Sequence, residues 1–262
     1  MNPEAARSNT VVRVESLEGG AVRLARLNTP KANVLDRTKI DALTALFEDA
    51  GRDPNLKAII IEGEGPNFSF GASVQEHLPD ACGAMLSSFH SLFRAILDAS
   101  VVTLAAVRGQ CLGGGLELAA FCNRVFASED ARLGQPEIQL GVFAPVASAI
   151  LPDRMGRGAA EDLLLSGRSI TAAEALRVGL VDEVVADPGD AALAYARTHL
   201  VPRSASSLRL AVKAARYAFA EQFGRNLAAL ESCYLDDLMN TADAEEGLRA
   251  FLEKRTPSWK NR

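Results

Sequence analysis

Residues 101–144 read VVTLAAVRGQCLGGGLELAAFCNRVFASEDARLGQPEIQLGVFA. The first seven residues, 101–107, are apolar and rich in β-branched side chains, the composition of a buried strand. Residues 108–112 turn the chain into three consecutive glycines, Gly113, Gly114 and Gly115, and an apolar helical pattern carrying the acid Glu117 follows. A second acid, Glu137, follows in GQPEIQLG. Glycines at a strand-to-helix junction let backbone N–H groups approach a ligand with no Cβ in the way. The first turn of a helix also carries unpaired N–H groups and a partial positive charge. The junction therefore suits an anion or a developing oxyanion, and it equally suits tight helix–strand packing. It is neither a P-loop, since no Lys-Ser/Thr follows, nor a G-x-G-x-x-G dinucleotide fingerprint.

The two acids extend this reading. Glu117 lies among Leu116, Leu118, Ala119, Ala120 and Phe121, and desolvation there favours the protonated carboxyl. Its alternative is a structural pairing with Arg108 or Arg124. Glu137 follows Pro136, which fixes the local backbone and presents the acid on a rigid turn. Two acids on adjacent elements can hold one water, one acting as base while the other moves a proton. Upstream, NFSFGASV at residues 67–74 is an apolar loop in which Gly71 can aim the Ala72 N–H at the glycine-rich helix start; an ordinary tight turn is the alternative. Ser69 and Ser73 lack a G-x-S-x-G elbow, and nearby His77 has no evident acidic partner, so a serine hydrolase is disfavoured. Cys111 lacks a histidine partner and reads as packing. His90 reads as a surface or satisfied helix residue.

Working outward, residues 11–17 and 21–27 form a hairpin around Glu18-Gly19-Gly20. A helix capped by Asp36 runs to about residue 49, followed by a buried strand at 57–61 and a helix at 81–97. Residues 124–127 and 132–133 are short strands. Short helices follow at 146–155, 159–166 and 171–178, the last capped by Thr171, and then a final strand at 180–185. From residue 191 the pattern is helical, with breaks expected at Pro202, Gly224 and Thr241. Strands alternating with helices, then helices alone, define an α/β core with a helical appendage.

Composition narrows the function. The chain has 262 residues, 48% hydrophobic and 23% charged, with a formal net charge of −5. That balance offers no basic field for nucleic acid, and no apolar run approaches bilayer length. The N-terminal MNPEAARSNT lacks a signal h-region, and Cys82, Cys111, Cys122 and Cys233 form no CxxC pair. With only three histidines, a histidine-built metal site is not expected. A cytoplasmic protein with reduced cysteines follows, with no nucleic acid, membrane or metal partner.

Taken together, GQCLGGGLELA, GQPEIQLGV and LLLSGRSITAAEALRVGLVDEVV resemble the crotonase (enoyl-CoA hydratase/isomerase) superfamily, and the likeness extends over almost the whole chain. The resemblance implies a crotonase-like spiral of β-β-α units across residues 1–200, with the active site in it. It also implies a helical oligomerisation region, residues 201–262, giving a trimer or a dimer of trimers. The substrate would be an acyl-CoA thioester, with no separate cofactor because coenzyme A is part of the substrate. Carried over by position, the oxyanion hole would be the N–H groups of Ala72 and Gly114. Glu117 and Glu137 would match both hydratase glutamates, which favours water addition over isomerisation. Lys31, Ala32, Val34, Phe70, Gly71, Ser73, Val74, Leu112, Gly113, Pro136 and Phe143 would line the coenzyme A and acyl path. General 2-enoyl-CoA hydratases and RNA-binding relatives are the family alternatives.

Two departures narrow the branch. Ser73 stands where common hydratases carry an acid. GVFAPVASAILP, with Phe143, Pro145, Val146 and Ala147, replaces a glycine-rich run after the second glutamate. FSFGASVQEHLPDA and GQPEIQLGVFAPVAS resemble a branch that hydrates a cyclic dienoyl thioester.

Overall fold

A computed structural model describes residues 10–29 and 31–262; the reading of the N-terminal nine residues lies outside them. The strands are β1 (Val12–Leu17), β2 (Val22–Leu27), β3 (Ala58–Gly63), β4 (Val102–Val107), β5 (Gln110–Leu112), β6 (Arg124–Ala127), β7 (Arg132–Gly134), β8 (Ser169–Thr171) and β9 (Glu183–Val184). Six of them form one sheet in the order β1-β2-β3-β4-β6-β9. The β1–β2 hairpin is antiparallel, and every later neighbour is parallel.

The central strands are apolar on both faces because both faces are covered. Successive side chains of a strand point to opposite sides. Ala25, Leu27, Ile59, Ile61, Ala105 and Val107 enter one core. Val22, Leu24, Ala58, Ile60, Leu104 and Ala106 enter another. The first core is closed by α1 (Arg37–Arg52), α2 (Pro79–Ala99), α3 (Gly114–Phe121) and α4 (Pro145–Met155). After α5 (Arg157–Ser166) and α6 (Ala172–Arg177), α7 (Pro188–Tyr195) and the turns after it cover the second through Ala192, Ala196 and Leu200. The start signals act as expected. The Asp36 carboxylate accepts from the Lys39 N–H at 2.9 Å, and the Thr171 hydroxyl from the Glu174 N–H at 3.2 Å.

A second sheet, β5-β7-β8, pairs β5 with β7 in parallel and β7 with β8 antiparallel. The sequence marked β5 only as a turn. Three residues are too short to carry a periodic signal, and β7 supplies the pairing. The expected strand at 180–185 shrinks to β9, because the N–H groups of Leu180 and Val181 close onto Ala175 O instead of a ladder.

The C-terminal helices are α8 (Ala205–Ala215), α9 (Tyr217–Ser232) and α10 (Ala242–Leu252). The expected break at Gly224 is absent: α9 runs straight through it. An interior glycine costs a helix only about 1 kcal/mol. The break falls at Arg216, whose guanidinium donates to Phe121 O at 2.6 Å and lies 5.3 Å from the Phe121 ring centre. Docking onto α3, not local propensity, sets that bend. Phe219 and Phe223 of α9 join Phe93 and Phe121 in one aromatic cluster. Among the described residues no helix is long and apolar enough to cross a membrane.

Candidate active site

Parallel pairing of β5 with β7 sets Leu112 opposite Gly134. The Gly113 N–H donates to Gly134 O at 2.9 Å, which ties the glycine turn to the segment that leads into Glu137. Gly113 has φ +52°, in the region that favours glycine, and a Cβ there would run into the Glu137 carboxylate. Glu137 itself stands on the short 3₁₀ turn Pro136–Leu140. Two acids twenty residues apart in sequence are thus brought against one turn by a three-residue ladder.

The loop 67–73 is fastened to the same turn. Ser69 N–H donates to Gln110 O at 3.0 Å, and Leu112 N–H donates to Ser69 O at 2.9 Å. The buried Ser69 hydroxyl donates to Asn33 O at 2.8 Å and accepts from the Gly71 N–H at 3.1 Å, so it is a structural tie rather than a nucleophile. Gly71 has φ +97°, and a Cβ on it would stand 2.9 Å from Leu112 O. This close approach sets Ala72 beside the start of α3: a Cβ on Gly114 would lie 3.1 Å from Ala72 N. Neither the Ala72 N–H nor the Gly114 N–H has an acceptor among the described residues. Two adjacent free donors at a helix N-terminus form the geometry that stabilises a developing oxyanion.

Glu117 sits one turn into α3 and is 4% exposed. It is not paired with arginine: Arg108 reaches Glu62 and Asp187, and Arg124 reaches Glu183. Its Oε1 instead accepts the Ala147 N–H at 2.6 Å. Burial, and then the nearby Glu137 charge, push its carboxyl well above the usual range. Burial does the same to Glu137, whose Oε2 is sealed from solvent with no partner among the described residues. Two such carboxylates resist ionising together, so the pair holds a proton at a pH where isolated acids are bare.

A cavity of about 670 Å³ opens at this point. Its lining includes Val34, Phe70, Gly71, Ala72, Ser73 and Val74 from one side, and Leu112, Gly113, Pro136 and Glu137 from the other. Three residues assigned to the path from sequence stand elsewhere. Lys31 is exposed and accepts a hydrogen bond from Asn67 Nδ2 through its carbonyl. Ala32 lies behind Phe70, whose N–H it accepts at 2.8 Å. Phe143 turns inward and meets Tyr234 edge to face, with ring centres 5.3 Å apart. Gly114 and Glu117 are not among the lining residues themselves: Gly114 packs against Ala72, and Glu117 feels the charge of Glu137. Cys111 is buried and its thiol is pushed far upward by desolvation, which leaves no thiolate nucleophile.

Sequence reasoning missed much of the wall. Gln75 and His77 belong to it, with His77 Nδ1 2.8 Å from Ser73 O. So do Gly247, Phe251, Leu252 and Arg255, more than a hundred residues from the glutamates. α10 is packed onto the Glu137 turn so closely that a Cβ on Gly247 would overlap Leu140 O. No local spacing reports such a contact. Ala147 gave no signal either, since its contribution is a backbone N–H.

The chain belongs to the enoyl-CoA hydratase/isomerase family, whose pattern it matches over residues 18–262. It is an enzyme of the hydro-lyase class. Among named relatives, it is 52% identical over 245 residues to cyclohexa-1,5-dienecarbonyl-CoA hydratase of Thauera aromatica, covering 94% of this chain and 95% of that one. The 2,3-dehydroadipyl-CoA hydratase of Escherichia coli is 36% identical, covering 92% and 96%. A solved enoyl-CoA hydratase from Mycobacterium avium superposes with a TM-score of 0.84 at 27% identity, covering 96% and 100%. The crotonase-type α/β fold expected from sequence is therefore the fold observed.

Proposed function

We propose that this hydratase adds water to cyclohexa-1,5-diene-1-carbonyl-CoA, giving 6-hydroxycyclohex-1-ene-1-carbonyl-CoA. The observation that carries the chemistry is the pair of acceptorless N–H groups, Ala72 and Gly114, beside two buried carboxyls of raised proton affinity. The ring specificity is supported by the 52% identity to the Thauera enzyme and by VFAPVAS in place of a glycine-rich run.

The thioester oxygen takes the two N–H groups. Water between Glu117 and Glu137 gives a proton to one carboxylate as its oxygen bonds to the β-carbon, C2. The C1=C2 electron pair moves toward the carbonyl and spreads over C5=C6 as an extended enolate. The other glutamate delivers a proton to C5, the double bond settles between C1 and C6, and one water has been added across the diene. The N–H pair strengthens its hold as negative charge grows on the oxygen, so it lowers the barrier rather than merely binding substrate. Val34, Phe70 and Val74 would flank the pantetheine. Exposed apolar side chains such as Leu210 and Tyr217 are the kind of surface a trimer of this chain would cover.

Side-by-side turnover of the cyclic dienoyl-CoA and crotonyl-CoA tests the reading. It predicts a kcat/KM at least about 100-fold higher for the ring, a difference of about 2.7 kcal/mol in transition-state binding. Equal or inverted values would make the enzyme a general 2-enoyl-CoA hydratase.

A further inference from the structure

The ring of Tyr234 is 0% exposed, among the largest fully buried side chains, yet its hydroxyl has no hydrogen-bond partner among the described residues. Buried tyrosine hydroxyls normally find one. The residue lies in a π-helical turn, Cys233–Asp237, at the end of α9, a local irregularity that often marks functional positions. A continuous set of contacts links it to the site. The Val142 N–H donates to Glu137 O at 3.2 Å, Val142 lines the cavity, and the next residue, Phe143, meets the Tyr234 ring. Glu137 Oε2 is also without a partner among the described residues, as are Oε1 and Nε2 of Gln135 two residues before it. Glu117 Oε1 is already committed to Ala147. An unpaired donor and an unpaired acceptor thus flank the same wall.

We propose that Tyr234 is a positioning residue that acts through Glu137: its hydroxyl donates through one water to the Glu137 carboxylate and holds it ionised and aimed at the reacting water. The inference rests on the two-glutamate hydration described above. The titratable neighbours of the phenol are Cys82 on α2, Glu117 on α3 and Glu137 on the 3₁₀ turn. Burial and these neighbours keep the phenol protonated, so it serves as a donor and not as a base.

The test is Tyr234→Phe, followed by kcat, KM, the pH profile of kcat and the melting temperature, with both cyclic dienoyl-CoA and crotonyl-CoA. Losing a donor to an ionised carboxylate raises that carboxyl's pKa, so the acidic limb must move to higher pH. The expected result is a fall in kcat of about 10-fold, KM within about twofold, and an unchanged melting temperature, since the hydroxyl has no direct partner among the described residues to lose. Phe143→Leu is the packing control: it lowers the melting temperature and leaves the acidic limb in place. An unchanged kcat and acidic limb in Tyr234→Phe, with whichever substrate turns over, would overturn the proposal. If the wild type hydrates only crotonyl-CoA, the ring assignment fails, and the tyrosine is judged on crotonyl-CoA alone.

Discussion

The two glutamates meet in one site but stand on different ground. Glu117 is rooted in the core: it belongs to α3, every residue of that helix is buried, and one of its oxygens is fixed by the Ala147 N–H. Glu137 stands on a single 3₁₀ turn in the cavity wall, with Oε2 unpartnered and α10 packed behind it. One acid is held by the fold's interior and the other by what covers it. The difference teaches that the pair is not symmetric: the same chemical group is preorganised by a backbone hydrogen bond in one place and by tertiary clamping in the other. Preorganised dipoles need no rearrangement at the moment of reaction, which is why such fixing matters to rate.

The largest effects come from deleting either acid. Glu117→Gln and Glu137→Gln should each lower kcat by about a thousandfold, with the thioester still bound, since general acid–base groups contribute 10²–10⁴. Steady-state hydration and direct binding of a CoA thioester check this. Near-wild-type turnover in either variant breaks the two-acid mechanism.

The next effect tests the seam between the two regions. Gly113→Ala places a side chain at φ +52° and drives its Cβ into the Glu137 carboxylate. The backbone strain costs about 1–3 kcal/mol. Hydration should fall by about 100-fold, as expected when a reacting group is displaced by about 1 Å. Thermal melting and kcat/KM read both, and a variant as active as the wild type would show that Glu137 has room to move without loss.

The smallest effect concerns stability and sharpens the asymmetry. The folded-state pKa of Glu117 is raised, so the folded protein binds a proton that the unfolded chain releases. Well below the ordinary carboxylate range both states are protonated and the group costs nothing. As pH rises from there toward the raised value, ionisation favours the unfolded chain and stability is lost. Glu117→Gln removes that loss while keeping an oxygen for the Ala147 N–H. Its melting temperature should exceed the wild type's at pH 8 to 9 by a few degrees, about 2–4 °C per kcal/mol for a chain this size, and match it near pH 4. An equal gap at both pH values would mean that the burial of Glu117 is not what raises its proton affinity.

Much of this site was legible before any coordinates. Gly113–Gly115, Glu117 and Glu137 are close in sequence, and glycine, proline and a lone acid in an apolar helix each carry a direct conformational or electrostatic meaning. The sheet strands were legible too, because burial on both faces leaves continuous apolar runs such as AIII at residues 58–61. The Gly224 break was misplaced, since a local propensity of about 1 kcal/mol is overridden by the docking of Arg216 on Phe121. Phe143 was assigned to the acyl path by the family resemblance, whereas the structure turns it toward Tyr234.

The sequence by itself determined the local chemistry: which backbone N–H groups lose their Cβ shield, which acid is desolvated, and which alternation of elements builds an α/β core. Those follow from short-range sterics and from burial, and both act within a few residues. Only the tertiary structure decided that Glu117 would answer to Ala147 rather than to an arginine, that Ala72 would stand beside Gly114, that the turn after α9 would set Tyr234 against Phe143, and that α10 would close the wall with Phe251. Each of these joins residues thirty to more than a hundred positions apart. Such contacts depend on how whole elements pack, and packing is a property of the assembled core that no window of sequence contains.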